Sequence, residues 1–287
     1  MFRGIIHLLK YDKRFLFGFI VIIVFIFLSV LSFFSPYDLK IWHVVTRDLP
    51  PSFKYPLGTS SLGQDVFWKM TGAVRNSLII AIIAASLSRA IAILVGLIAG
   101  YKGEIIDRIL MSINDSFVVL PLLPLFLLIL SVLGGSVDIV TVGIILGLFA
   151  WAWDARLIRS QILSLKERGF TYTAIESGMS PFKLVIREHL PFAVPLVMAT
   201  IINNMIWAIG IEVVMAVFGL LDLETPTLGT MIHWSVHYQA MLLGVWWWIL
   251  TPVIVCILLF LGLYMLFISM SQFLDPRTRL EIIKSRE

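Results

Sequence analysis

FLFGFIVIIVFIFLSVLSFF, residues 15–34, holds twenty residues without a charge. As a helix it would rise about 30 Å, the thickness of a bilayer's hydrocarbon core. A secretory signal would be shorter and followed by a small-residue cleavage site, whereas Ser35-Pro36-Tyr37-Asp38 follows here, so the run reads as an uncleaved span. Working outward, apolar runs recur at about Ser77–Gly100, Ile109–Leu133, Val137–Trp153, Phe192–Leu220 and Met241–Met270. The last two are long enough to tilt or to extend past the bilayer. The expectation is an all-α polytopic membrane protein with about six transmembrane helices. Composition agrees, because 59% of the 287 residues are hydrophobic and 14% charged, more apolar surface than a soluble domain can hide. The chain is too short for an added soluble domain, and Cys256, its single cysteine, has no intrachain partner.

Short cytoplasmic segments collect Lys and Arg. Arg3, Lys10, Lys13 and Arg14 precede the first span, while Arg156, Arg159, Lys166, Arg168, Lys183 and Arg187 lie between the fourth and fifth. Arg277, Arg279, Lys284 and Arg286 follow the sixth. Six spans place these three groups on one side, which makes both termini cytoplasmic. The 35–76 segment carries Lys40, Arg47, Lys54, Lys69 and Arg75, which weakens the asymmetry without reversing it. The expected organisation is 1–72 (N-terminal segment, first span and exterior segment), 73–275 (core) and 276–287 (cytoplasmic tail). Trp246, Trp247 and Trp248 at one end of the sixth span, and Trp151 and Trp153 at the close of the fourth, read as interface anchors.

The stretch from Asp154 to Pro191 is longer and more polar than a turn requires. A short helix is predicted around Tyr172–Ser177, capped by Thr171 or Thr173, with Glu176 at capping-box spacing from Thr173. Gly178 ends it in a left-handed conformation. Ser180 and Pro181 then open a second helix that reaches Leu190-Pro191.

These residues resemble the inner-membrane permease subunits of ATP-binding-cassette importers, in the dipeptide/oligopeptide/nickel branch. The permease signature is Glu-Ala-Ala, three residues, Gly, nine residues, Ile, one residue, Leu-Pro. Gly178, Leu190 and Pro191 hold its separation and Ala174 its second alanine; Tyr172, Thr173 and Glu188 stand in place of Glu, Ala and Ile. Tyr55–Asp65 is similar to the branch's exterior His-Pro-Leu-Gly-Thr-Asp-x-x-Gly-Arg-Asp segment, keeping Pro56, Leu57, Gly58, Thr59, Gly63 and Asp65. Gly96–Asp107, Ala155–Arg159 and Leu274–Arg277 are similar to the branch in order and spacing.

The resemblance implies a type I importer permease fold with a coupling helix in the cytoplasmic loop at about 157–191. It implies a homologous second permease, two ATPase subunits that hold ATP and Mg, and an extracytoplasmic solute-binding protein. This chain has no G-x-x-x-x-G-K-[ST] phosphate loop, so the energy must come from a partner. No cofactor or metal bound by this chain, and no nucleic acid, is expected, and the chain is not itself an enzyme. Tyr172 leaves the signature without its glutamate, and Glu176 could supply a carboxylate from the next turn.

Arg89, Asp115 and Glu212 lie within apolar runs, where a charge must face protein or water. Arg89 and Glu212 read equally as pathway-lining charges and as partners across a permease interface, and Asp115 as structural. Asn203 and Asn204 are costly toward lipid and face inward or toward the pathway. His233 and His237, four apart, could share a helix face, but the sequence His-Trp-Ser-Val-His lacks the glutamate of a zinc protease. Pro121, Pro124 and Pro252 invite kinks.

Two other classes of function are weaker. A secondary transporter driven by an ion gradient would show internal repeats and paired broken helices, and no repeat is visible; an intramembrane enzyme would need a nucleophile or metal set that the spacing does not provide. Peptides are the cargo the branch implies, with oligosaccharides an alternative; nickel fits least, since no His or Cys cluster lies in the spans.

Overall fold

The computed structural model of the protein describes residues 8–9, 11–133 and 137–274. The tail expected at 276–287, the basic residues Arg3, Lys10, Arg277, Arg279, Lys284 and Arg286, and all of the Leu274–Arg277 match but its first residue lie outside the described residues. The fold is all-α. Among the described residues there is no strand, only an isolated antiparallel bridge between Thr59 and Asp65.

Helix α1 (Lys13–Leu31) is capped by Asp12, whose carboxylate accepts from the backbone N–H groups of Arg14 and Phe15, and runs on into a 3-10 turn at Ser32–Phe34. After the 35–65 segment come α2 (Val66–Lys102), α3 (Glu104–Val119), α4 (Leu122–Val132), α5 (Ile139–Phe149) and α6 (Ala152–Lys166). Two short helices, α7 (Gly169–Glu176) and α8 (Pro181–Leu184), lead into α9 (Leu190–Val217), followed by α10 (Leu228–His237) and α11 (Trp246–Leu274). Among the described residues four helices are long and apolar enough to cross a membrane, and α3 with α4 and α5 with α6 form two bent pairs; with each pair counted as one span the number is six.

The helix ends differ from expectation where local chemistry intervenes. Helix α2 begins eleven residues before the expected Ser77, because the Asp65 carboxylate accepts the Phe67 N–H at 2.9 Å and starts the helix inside the segment read as exterior loop. The third span is not bent but broken. Leu120 is extended, with ψ 131°, the conformation a following proline imposes, and Pro121 separates α3 from α4. Pro252, by contrast, sits inside a continuous α11.

The chain divides into two compact units. The first comprises Met1–Ile82, Leu123–Gly143 and Met205–Leu266. Here α1 meets α11 at paired glycines: a Cβ on Gly18 would stand 2.5 Å from the Gly262 carbonyl oxygen, and one on Gly262 2.6 Å from Val21 Cγ1. Small residues let membrane helices approach this closely. The 35–65 segment is clamped by its own polar groups. Thr59 Oγ1 donates to the Thr46 carbonyl and accepts from the Leu49 N–H, both at 2.8 Å, and Ser61 donates to Asp48 at 2.6 Å. Gly58 takes φ +71°, and a Cβ there would meet the Trp247 indole, so only glycine suits this turn. Trp247 Nε1 donates to the Thr59 carbonyl at 3.1 Å and Trp248 is buried beside Tyr238. Of Trp246, Trp247 and Trp248, all expected at the interface, only Trp246 stays half exposed, its ring edge-on to that of Trp247 at 5.7 Å.

The second unit comprises Ile83–Leu122, Ile144–Asn204 and Phe267–Glu287. Gly96 and Gly100, four apart on α2, face α6. Added Cβ atoms would stand 2.8 Å from the Ala155 carbonyl oxygen and 2.8 Å from Ile162 Cβ respectively. Around this contact Ala92, Trp151, Ile158, Ile162, Leu165 and Val197 form the unit's apolar core; Trp151, expected at an interface, belongs to it, while Trp153 is exposed. Polar bonds tie α3 to α6. Arg159 pairs with both carboxylate oxygens of Asp107, and buried Asn114 donates to the Ala152 carbonyl at 2.7 Å while accepting from Arg156 Nε at 2.9 Å. Asp115 pairs with Arg156 on an exposed surface, where such a bond adds little stability.

Candidate functional site

Helix α7 starts after Arg168, whose backbone is extended and whose side chain caps nothing. The expected capping box is therefore absent. Thr171 and Thr173 lie inside the helix: Thr171 Oγ1 donates to the Leu165 carbonyl at 2.8 Å and Thr173 Oγ1 to that of Gly169 at 3.1 Å. The helix end matches expectation. Gly178 takes φ +78°, its N–H reaches the Ile175 carbonyl at 2.9 Å, and the Met179 N–H reaches that of Ala174 at 3.1 Å, the paired bonds of a Schellman motif. Ser180 and Pro181 open α8 as expected, though the Ser180 hydroxyl makes no cap.

Between α8 and α9 the residues Val185–His189 form a π turn, so Pro181 to Val217 is helical without a loop. Pro191 explains the wide turn, because it has no N–H for the Arg187 carbonyl and its ring crowds that group. Leu190 is half buried and Pro191 exposed on the first turn of α9.

The face this segment presents is apolar. Tyr172 and Ile175, three apart on α7, are 57% and 52% exposed, and Phe182 on α8 is 77% exposed. Glu176 is also exposed. Beside them lies an open cleft of about 540 Å³ lined by residues that include Tyr101, Lys102, Lys166, Tyr172, Ile175 and Pro181. Sequence reasoning passed over Ile175 and Phe182; their signal was an apolar side chain placed in an otherwise polar stretch.

His189 fastens the segment from within. It is fully buried, with Nε2 3.0 Å from Thr171 Oγ1. The Thr171 hydroxyl proton already goes to Leu165, so Nε2 must carry the hydrogen. Burial lowers its pKa from the ordinary 6.5, with nearby Lys166 acting the same way and Glu188 opposing. An unfolded chain then takes up the proton first, so the stability this histidine supports is complete above about pH 6.5 and is lost as pH falls below it. Thermal unfolding of the purified complex should therefore shift down between about pH 7 and pH 5.5, and less so in His189→Gln, which keeps a donor for Thr171.

A polar set inside the spans lies in the second unit. Arg89 Nη2 is 3.1 Å from Asp154 Oδ2, and Asn204 Nδ2 donates to Asp154 at 2.8 Å and to Ser88 at 3.0 Å. The Arg89–Asp154 contact lacks hydrogen-bond alignment, and all three guanidinium nitrogens are buried without a hydrogen-bond partner among the described residues. Asp154, read from sequence as the first loop residue, is 8% exposed. Asn203, its neighbour's opposite, is exposed.

In the first unit Glu212 is fully buried. Ser77 Oγ donates to its Oε2 at 3.0 Å and accepts the Leu228 N–H at 3.1 Å. The carboxylate thus sits at the start of α10, where a helix favours negative charge. His233 and His237 stack with ring centroids 6.0 Å apart, and His233 Nδ1 is 3.0 Å from the Val217 carbonyl. Among the described residues no three His, Cys, Asp or Glu side chains gather as a metal set.

Four long apolar helices and two apolar bent pairs, with a short helical segment at 169–184, define a polytopic membrane protein. Residues 92–280 match the family of binding-protein-dependent transport system inner membrane components, and the chain belongs to that family. It is 27% identical over 272 residues to the dipeptide transport system permease protein DppC of Bacillus subtilis (strain 168), covering 94% of this chain and 84% of that one. It is 29% identical over 210 residues to that organism's oligopeptide transport system permease protein OppC, covering 73% and 68%. The OppC protein of Mycobacterium tuberculosis (strain ATCC 25618 / H37Rv) is 30% identical over 185 residues, 64% of this chain and 63% of that one.

Proposed function

We propose that this chain is one of two permease subunits of an ATP-driven peptide importer, with α7 as the helix that docks into an ATPase subunit. The observation that carries this reading is the exposure of Tyr172, Ile175 and Phe182 on a segment that continues through an unbroken helix into α9. Exposed apolar side chains rimmed by polar residues mark a protein contact. The helix pair transmits ATP-driven closure of two ATPases to the spans, and ATP and Mg are bound by those partners. This segment and both termini are on the cytoplasmic side, where the Lys and Arg residues collect; the 35–65 segment lies opposite, toward a solute-binding protein. The names of the relatives support peptides as cargo.

A side chain lining a passage between two permeases is exposed on the isolated subunit. Asn203 meets that condition; Arg89, Asn204 and Glu212 are buried in this conformation.

The test is ATPase activity of the complex reconstituted with its co-expressed ATPases, second permease and binding protein. Peptide-loaded binding protein should stimulate it, and Glu176→Ala should lower that stimulation roughly tenfold, the loss of one charge-assisted hydrogen bond, with assembly intact. Unchanged stimulation removes Glu176 from the contact. Uptake that survives ATP depletion but not collapse of an ion gradient would instead establish a secondary transporter.

A further inference from the structure

The turn that joins α10 to α11 is built of the wrong residues for water. Gln239 is followed by Ala-Met-Leu-Leu-Gly-Val, whereas turns in water draw on Asn, Asp, Ser, Pro and Gly. Met241, Leu242 and Leu243 are 58%, 83% and 63% exposed. No Asp, Glu, Lys or Arg occurs from Thr225 to Leu274.

Several backbone N–H groups of the turn are bonded within it, as an apolar surrounding favours. The N–H groups of Leu242 and Leu243 both reach the Gln239 carbonyl, at 2.9 and 3.1 Å, and that of Val245 reaches Ala240 at 2.8 Å. Gly244 closes the turn onto Met241 at 3.3 Å with φ +79°.

The exposed side chains continue a stripe of the span that follows. Trp246, Leu250, Ile254, Ile257 and Leu261 on α11 are all exposed, at intervals of three or four that keep them on one helix face. Trp246 stands where that face leaves the hydrocarbon, the level at which indoles settle.

We infer that residues 240–245 form a membrane-inserted tip, with Met241, Leu242 and Leu243 seated at the headgroup boundary of the leaflet that α11 enters. The lipid surface is its partner. The exposed polar side chains next to it in sequence, His237 and Gln239, suit the headgroup level, where polar and apolar groups meet. The tip holds the start of α11 against the bilayer while α10 packs inside the protein.

The whole transport complex, carrying Cys256→Ala and a nitroxide at Leu242→Cys, would be placed in phosphatidylethanolamine/phosphatidylglycerol nanodiscs for power-saturation spectroscopy. Leu250→Cys marks the lipid-facing stripe, and Met241→Cys serves if the Leu242 variant does not assemble. The expected result is collision with oxygen at Leu242 below that at the deeper Leu250 yet above collision with a water-soluble nickel chelate. Dominant collision with the chelate would place the tip in water and overturn the inference. Low collision with both would place it against another subunit and overturn it equally.

Discussion

Asp154→Leu is expected to destabilise the protein by about 3–5 kcal/mol, the cost of leaving a buried charge without its partner. The Arg89 guanidinium is buried, and its nitrogens have no hydrogen-bond partner among the described residues to take Asp154's place. Asn204 would lose one of its two acceptors at the same time, keeping Ser88. The converse variant, Arg89→Leu, should cost less, because Asp154 keeps the Asn204 amide. Replacing both by leucine should recover much of the loss, since an apolar pair of similar volume often serves as well as a buried ion pair. Membrane abundance and the thermal aggregation midpoint of the complex in detergent would give the order: Asp154→Leu lowest, the double variant above it. A double variant no better than Asp154→Leu would show that the ion pair is not what the single variant breaks.

Gly100→Leu should be nearly as damaging by another route. Its Cβ would stand 2.8 Å from Ile162 Cβ and 3.0 Å from the Arg159 carbonyl oxygen, so α6 must move away from α2. Overpacking of this kind costs about 1–3 kcal/mol. The displacement would also strain the Arg159–Asp107 pair and the 2.9 Å bond from Lys166 to the Tyr101 carbonyl, which hold the end of α6 just before α7. Gly96→Leu meets the Ala155 carbonyl and Ile158 in the same way, and the two changes should combine less than additively because both push one helix. The expected reading is a complex that still assembles but whose ATPase responds weakly to loaded binding protein. A normal response with reduced thermal stability would separate this contact from coupling.

The spans were legible because a twenty-residue apolar run states its solvent without reference to any partner. The break at Pro121 was legible for an equally local reason. What escaped was set by distance. Nothing adjacent to Arg89 names Asp154, 65 positions away, and Asp154 sits at the seam where an apolar run gives way to charge, so it read as loop. The capping box failed because spacing alone cannot tell that α7 would begin earlier, at Gly169, and take Thr171 inside as a bond to Leu165. The tryptophans misled in the same manner, since an indole at a span's end anchors the interface or packs against a loop, and Trp247 does the second. Gly178 and Pro181 did as read because turn chemistry is carried by the residue itself.

The π turn at Val185–His189 amounts to one surplus residue wound into a helix. Each residue advances an α-helix by about 100°, so the surplus sets the azimuth at which Phe182 points relative to Asn203 farther along the same rod. Were the turn to relax into ordinary α geometry, α8 would screw around the axis of α9 by roughly that angle without any loop lengthening or any helix unwinding. Because Pro191 opposes that relaxation, the segment holds Phe182 at one azimuth of the rod.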